Sequence, residues 1–163
     1  MTHPTETLAA WGIEAGLGDT ALAMSQQNVE IVRRLYEAMA ARDLAAVAKL
    51  TPPDAEWIPD SRVGEGPIRG RDNVIRFFVD RAAMFDEIRS EPERIWEKDD
   101  KVLVFVSVTG RGQGSGAGFE IRIGHLWTVR DGVVTRGEGY GNRNEALEAL
   151  GLSARDHSRS QPK

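Results

Sequence analysis

The chain has no cysteine among its 163 residues, which removes disulfides, thiolate nucleophiles and cysteine-ligated zinc from its chemistry. Histidine is scarce: His3, His125 and His157 are the full set, and no two sit at ligand spacing, so no metal is expected and no cofactor is implied. Long apolar runs are missing as well. No stretch approaches the roughly 20 apolar residues that cross a bilayer, and no membrane partner is expected. Nor is there a surplus of one charge sign, since 21 Lys and Arg against 25 Asp and Glu leave a net charge of −4. The arginines are scattered rather than gathered into a stripe. The basic footprint that phosphate backbones require is therefore lacking, which argues against a nucleic-acid partner.

What is present fits one globular domain: 40% hydrophobic and 28% charged residues, in a chain long enough to bury a core. Residues 1–23 lack a basic start, are interrupted by Glu6, Glu14 and Asp19, and carry Gly12, Gly16 and Gly18. They read as a flexible extension rather than a secretory signal, and a cytoplasmic location is expected. Residues 24–152 form the domain, and the polar residues 153–163 form a frayed tail.

Periodicity divides the domain into helices first and strands after. A helix is predicted from Ser25, as N-cap, to Ala41, with Val29, Val32, Leu35, Tyr36 and Met39 on one face. Asp43 caps a second, Leu44 to Leu50, which Pro52-Pro53 stops. A short strand from Ala55 to Ile58 and a Gly/Pro loop lead to a third helix, capped by Asp72, with Val74, Ile75, Phe78 and Val79 on its apolar face. The period then changes to two. Strands are predicted over Arg89–Lys98, Lys101–Arg111, Phe119–Arg130 and Val133 to about Asn142, with Asp131-Gly132 as a two-residue hairpin turn. A short helix from Asn144 to Leu150 closes the domain. This order gives an α+β fold, with the helices on one face of an antiparallel sheet. A sheet of this size must curl, and its concave face with the helices encloses a cone-shaped space.

Six stretches in this order resemble a known family: Leu35-Tyr36-Glu37-Ala38-Met39 with Arg42-Asp43-Leu44; Pro53-Asp54-Ala55-Glu56-Trp57; Ile68-Arg69-Gly70-Arg71-Asp72; His125-Leu126-Trp127-Thr128-Val129-Arg130-Asp131-Gly132; and Glu145-Ala146-Leu147-Glu148-Ala149-Leu150-Gly151-Leu152. Together they are similar to the SnoaL-like branch of the nuclear transport factor 2 superfamily, over about residues 24–152. The resemblance implies a cone-shaped fold with an apolar pocket, and it implies little about the reaction, because the superfamily hosts isomerases, cyclases, dehydratases, epoxide hydrolases and pure binders. Carried over by position, His125 falls where ketosteroid isomerases hold the carboxylic acid of their oxyanion hole. Their helix-one tyrosine falls at Leu35, with Tyr36 turned about 100° away. Their general base falls at Pro59, with Asp60 one residue along. The epoxide hydrolases' Asp, Arg and Asp fall at Gly139 and near Val106 and Val108, so that chemistry is not expected.

The last hairpin sets which side chains meet His125. A plain turn places Glu138 opposite it and offers a His–Glu base. A β-bulge after the turn, the form relatives carry, instead turns Gly137, Gly139 and Gly141 inward and Arg136, Glu138 and Tyr140 outward. The bulged register is the expected one, with the glycines clearing space for a ligand or neighbouring backbone. On this reading the catalytic candidates are His125 and Asp60. The expected ligand walls are Trp57, Trp127, Leu35, Met39, Phe78, Val106, Val108 and Gly139. Two function classes follow: an enzyme of isomerase, cyclase or dehydratase type transferring protons on a hydrophobic carbonyl compound, or a non-catalytic binder of a small apolar molecule or dimeric accessory domain. A homodimer through the outer sheet face, carrying Arg122 and Thr128, is expected from the resemblance.

Overall fold

The computed structural model describes residues 19–152. The predicted tail at 153–163, and residues 1–18 of the predicted extension, lie outside that range. Helix α1 spans Asp19–Ala40 and begins six residues before the expected cap, Ser25. Ala21, Leu22, Ala23 and Met24 are strong helix formers. Helix α2, Leu44–Leu50, is capped as expected: the Asp43 carboxylate accepts from the Ala46 N–H. Helix α3, Arg71–Ala83, starts on Gly70 rather than Asp72. The chain must enter it at φ 93°, a conformation that glycine adopts freely, and Asp72 moves into the first turn.

The strands are β1 (Glu56–Ile58), β2 (Ile68–Arg69), β3 (Phe85–Lys98), β4 (Lys101–Gly112), β5 (Gly118–Arg130) and β6 (Val133–Tyr140). They form one sheet in the order β2-β1-β6-β5-β4-β3, antiparallel except for the parallel pair β1–β6. The β5–β6 hairpin turns on Asp131 and Gly132, both at positive φ (52° and 79°), the pair of left-handed positions a two-residue turn demands. Just after it, Thr128 pairs with Arg136 but Val129 pairs with Val134, leaving Thr135 as the extra residue. The expected bulge is present, and beyond it His125 faces Gly139 and Trp127 faces Gly137.

Strand alternation separates two cores. Val102, Val104, Val106 and Val108 of β4 point inward against α1, α2 and α3, with Val29, Val32, Leu35, Tyr36 and Trp57. Leu103 and Phe105 point outward. There helix α4, Arg143–Ala149, lays Ala146 and Leu147 across them, joined by Leu150, Trp96 and Leu126. The expectation of helices on one face is therefore corrected: α4 covers part of the other. Its approach depends on Gly124, where a Cβ would lie 2.6 Å from that of Ala146. Arg143 at the start of α4 sets its guanidinium 4.6 Å over the Phe105 ring and donates to the Val106 carbonyl at 3.1 Å.

Candidate functional site

The inner face is not buried evenly. Along β5, exposure rises from 4% at Trp127 and 8% at His125, through half-buried Ile123, to 49% at Ile121. On β4 the inner valines are closed, and half-buried Gly110 follows them. Half-buried Ile88 of β3 and Phe119 of β5 pack at the edge of the same core. The inner face of β5 is thus buried at the hairpin end and increasingly exposed toward the start of the strand, and His125 is the last buried side chain in that series.

Its surroundings are aromatic. The ring centroids of Trp57 and Trp127 lie 5.4 Å and 5.5 Å from that of His125. Trp57 also packs edge-on against Phe78 at 4.9 Å. The space that the glycines of β6 leave is taken by these indoles. A Cβ on Gly137 would lie 2.5 Å from the Trp127 ring, and one on Gly139 would lie 2.9 Å from Trp57. The expectation that these glycines clear room for a ligand is corrected: they make room for tryptophan. A groove of about 540 Å³ lies on the outer face beside Glu56, Lys101, Thr128, Arg136 and Glu138.

One hydrogen-bonded chain runs through the apolar interior. Trp127 Nε1–H donates to Tyr36 Oη at 2.9 Å, and Tyr36 Oη lies 2.7 Å from His125 Nδ1. The Tyr36 and His125 ring planes are parallel within 7°. All three residues are buried. Burial lowers the His125 pKa to about 4, so the ring is neutral at pH 7, and burial pushes the Tyr36 phenol up. Leu35 is buried in the core beside the site, and Tyr36 carries the hydroxyl to His125. The helix face Val32, Leu35, Tyr36 and Met39 contained the signal: a phenol on a buried face needs a partner, and His125 is the polar residue opposite.

Asp60 stands apart from this chain. Its carboxylate accepts from Gly141 N–H at 2.6 Å, from Arg62 N–H at 2.8 Å and from the Arg62 guanidinium at 3.0 Å. These donors, Gly141 first, hold its pKa below the usual carboxylate value. Asp60 thereby fastens the loop after β1 to the end of β6, and Arg62 extends the link to Glu145 of α4 at 2.7 Å. The hydrogen bond of His125 is to a phenol and not to a carboxylate. Glu138 points outward, near Arg136 and Tyr140. Of the other expected walls, Val106 and Val108 are buried on the inner face, and Met39 and Phe78 are half-buried against it. Among the described residues no group of three or more His, Asp or Glu side chains is placed to share a metal ion.

The sequence profile of the SnoaL-like domain matches residues 32–137, well over half of the chain. The chain belongs to the SnoaL-like domain family. No curated protein matches it. Among solved structures, the SnoaL-like domain is similar to TerC co-crystallized with polyporic acid, at 25% identity and TM-score 0.65 over 76% of this chain and 97% of that one. It is similar to an NTF2-like protein of Burkholderia xenovorans LB400 at 29% identity and TM-score 0.62, over 77% and 96%. A protein of Jannaschia sp. CCS1 described as a SnoaL-like polyketide cyclase shares the fold at 21% identity and TM-score 0.69, over 84% and 97%. The cone-shaped α+β architecture expected from the sequence is the NTF2-like fold of these structures.

Proposed function

We propose that this SnoaL-like domain binds a small, neutral, mostly apolar carbonyl compound on the open part of its concave face, with the polar group of the ligand on His125. The observation that carries this reading is the placement of one neutral, hydrogen-bonded imidazole at the boundary between the buried and exposed parts of the otherwise apolar inner face of β5. Ile123, Ile121 and Phe78 offer apolar area worth about 25 cal/mol per Å² covered, enough for a fused-ring molecule to gain several kcal/mol. A charged metabolite would lose hydration without finding a counter-charge there. TerC, whose fold this domain shares, was co-crystallized with polyporic acid.

Binding is favoured over proton abstraction. A general base must hold its lone pair within reach of the substrate at a suitable pKa. The imidazole of His125 is a weak base, and the Asp60 carboxylate is engaged by three donors and held below its usual pKa. His125→Ala should weaken a bound carbonyl compound by about 1–2 kcal/mol while the fold persists. A thermal-shift panel of steroids, polyketides and terpenoids checks the ligand class. Stabilisation by phosphorylated or polyanionic metabolites alone would contradict it.

The reading includes a homodimer. The outer face of β3, β4 and β5 beyond α4 carries Arg89, Glu91, Ser107, Thr109, Glu120 and Arg122, an uncovered surface of mixed charge on long strands. Thr128, expected in the interface, is itself buried, and its hydroxyl accepts from Lys101. Light scattering should give about twice the 18.0 kDa of one chain at micromolar concentration, and a monomer mass would remove the pairing.

A further inference from the structure

We infer that Trp127 and Tyr36 lock His125 in the tautomer that carries its proton on Nε2, so that the site accepts ligands presenting a hydrogen-bond acceptor and discriminates against ligands that can only donate. This rests on the ligand site proposed above and specifies its chemistry. The reasoning is a count of protons. An indole N–H donates and never accepts, so Tyr36 Oη is the acceptor in its 2.9 Å contact with Trp127. One hydroxyl proton then remains. The partner still open to it is His125 Nδ1 at 2.7 Å, since among the described residues Tyr36 makes no third hydrogen bond. If Nδ1 carried a proton, Oη would accept twice and its own proton would be buried without a partner, which costs free energy in an apolar interior. The low-cost arrangement runs one way: Trp127 N–H to Tyr36 oxygen, Tyr36 O–H to Nδ1. In a neutral ring the remaining proton is on Nε2. Among the described residues Nε2 has no hydrogen-bond partner of its own, and the ring is the last buried side chain before the inner face of β5 becomes exposed.

The relay makes Tyr36 and Trp127 positioning residues. They touch no ligand, and they fix what His125 offers it. A carbonyl oxygen meets an N–H; a group that can only donate meets that same N–H and is left unpaired.

Three isosteric tricyclic probes separate the possibilities: 9-fluorenone with an acceptor, fluorene with neither function, and carbazole with only an N–H. Titration calorimetry on the full chain should rank fluorenone roughly tenfold tighter than carbazole, the worth of one hydrogen bond. Tyr36→Phe should reduce that preference toward unity, as should Trp127→Phe, which frees Tyr36 Oη and keeps the phenol. In parallel, long-range ¹H–¹⁵N spectra of the free protein should show His125, assigned by its loss in His125→Gln, with protonated Nε2 and bare Nδ1. A bare Nε2 overturns the inference whatever binds. Carbazole binding as well as fluorenone overturns the selectivity and leaves the ligand site standing. If none of the three binds while Nε2 is protonated, the ligand site falls, and the selectivity with it.

Discussion

Trp57→Ala is expected to cost about 3–5 kcal/mol of folding free energy, the range for removing a large buried aromatic, seen in urea as a lower midpoint at unchanged slope. The indole is 4% exposed and touches three partners at once, with ring centroids 4.9 Å from Phe78, 5.4 Å from His125 and 5.4 Å from Trp127. It also fills the space over Gly139, where a Cβ would lie 2.9 Å from its ring. That contact provides an internal check. Gly139→Ala alone crowds the ring and should cost about 1–3 kcal/mol. In the Trp57→Ala background the obstruction is gone, and the same change should cost much less. Additive costs would mean that Trp57 does not occupy the space the glycine leaves.

Acid should destabilise the fold through His125 before it does so through the aspartates. The imidazole is neutral in the folded state with a pKa near 4 and ordinary, about 6.5, in the unfolded chain. The folded state therefore binds fewer protons between these values. The stability this neutral ring confers is complete above about pH 6.5 and is lost as pH falls toward 4, amounting to about 3 kcal/mol. Asp60 and Asp100 have lowered pKa values, so their losses come at and below the ordinary carboxylate value, a more acidic window. Denaturation at pH 7, 5.5 and 4.5 should show the loss in wild type and a much flatter profile in His125→Gln. Equal slopes in the two proteins would mean that His125 titrates as an exposed histidine does.

Most of the frame was legible in the sequence because it depends on local chemistry. The Asp43 cap, the Asp131-Gly132 turn and the alternation of β4 and β5 need only neighbouring residues to be read. The bulge at Thr135 came from the resemblance, and it put Gly139 rather than Glu138 opposite His125. The features that could not be read are long-range. Whether Leu35 or Tyr36 meets His125 depends on how α1 is rotated over the sheet, which separation in sequence does not encode, although both lie on the buried face. The glycines of β6 announced a close approach but not by what, and indoles from β1 and β5 arrive there. Asp60 has the residue type of a base, and its neighbours in space, Gly141 and Arg62, turn it into a fastening for a loop. Helix α4 crosses to the outer face because Gly124 lets Ala146 approach, a contact between residues on two different elements.

The reading of His125 as the polar contact of an apolar ligand site is tested most directly by its imidazole ¹⁵N resonances with and without 9-fluorenone. Saturating ligand should shift Nε2 well beyond any change at Nδ1, because Nδ1 is already engaged by Tyr36 at 2.7 Å. Binding of fluorenone with both ring nitrogens unmoved would place the ligand elsewhere and contradict the account.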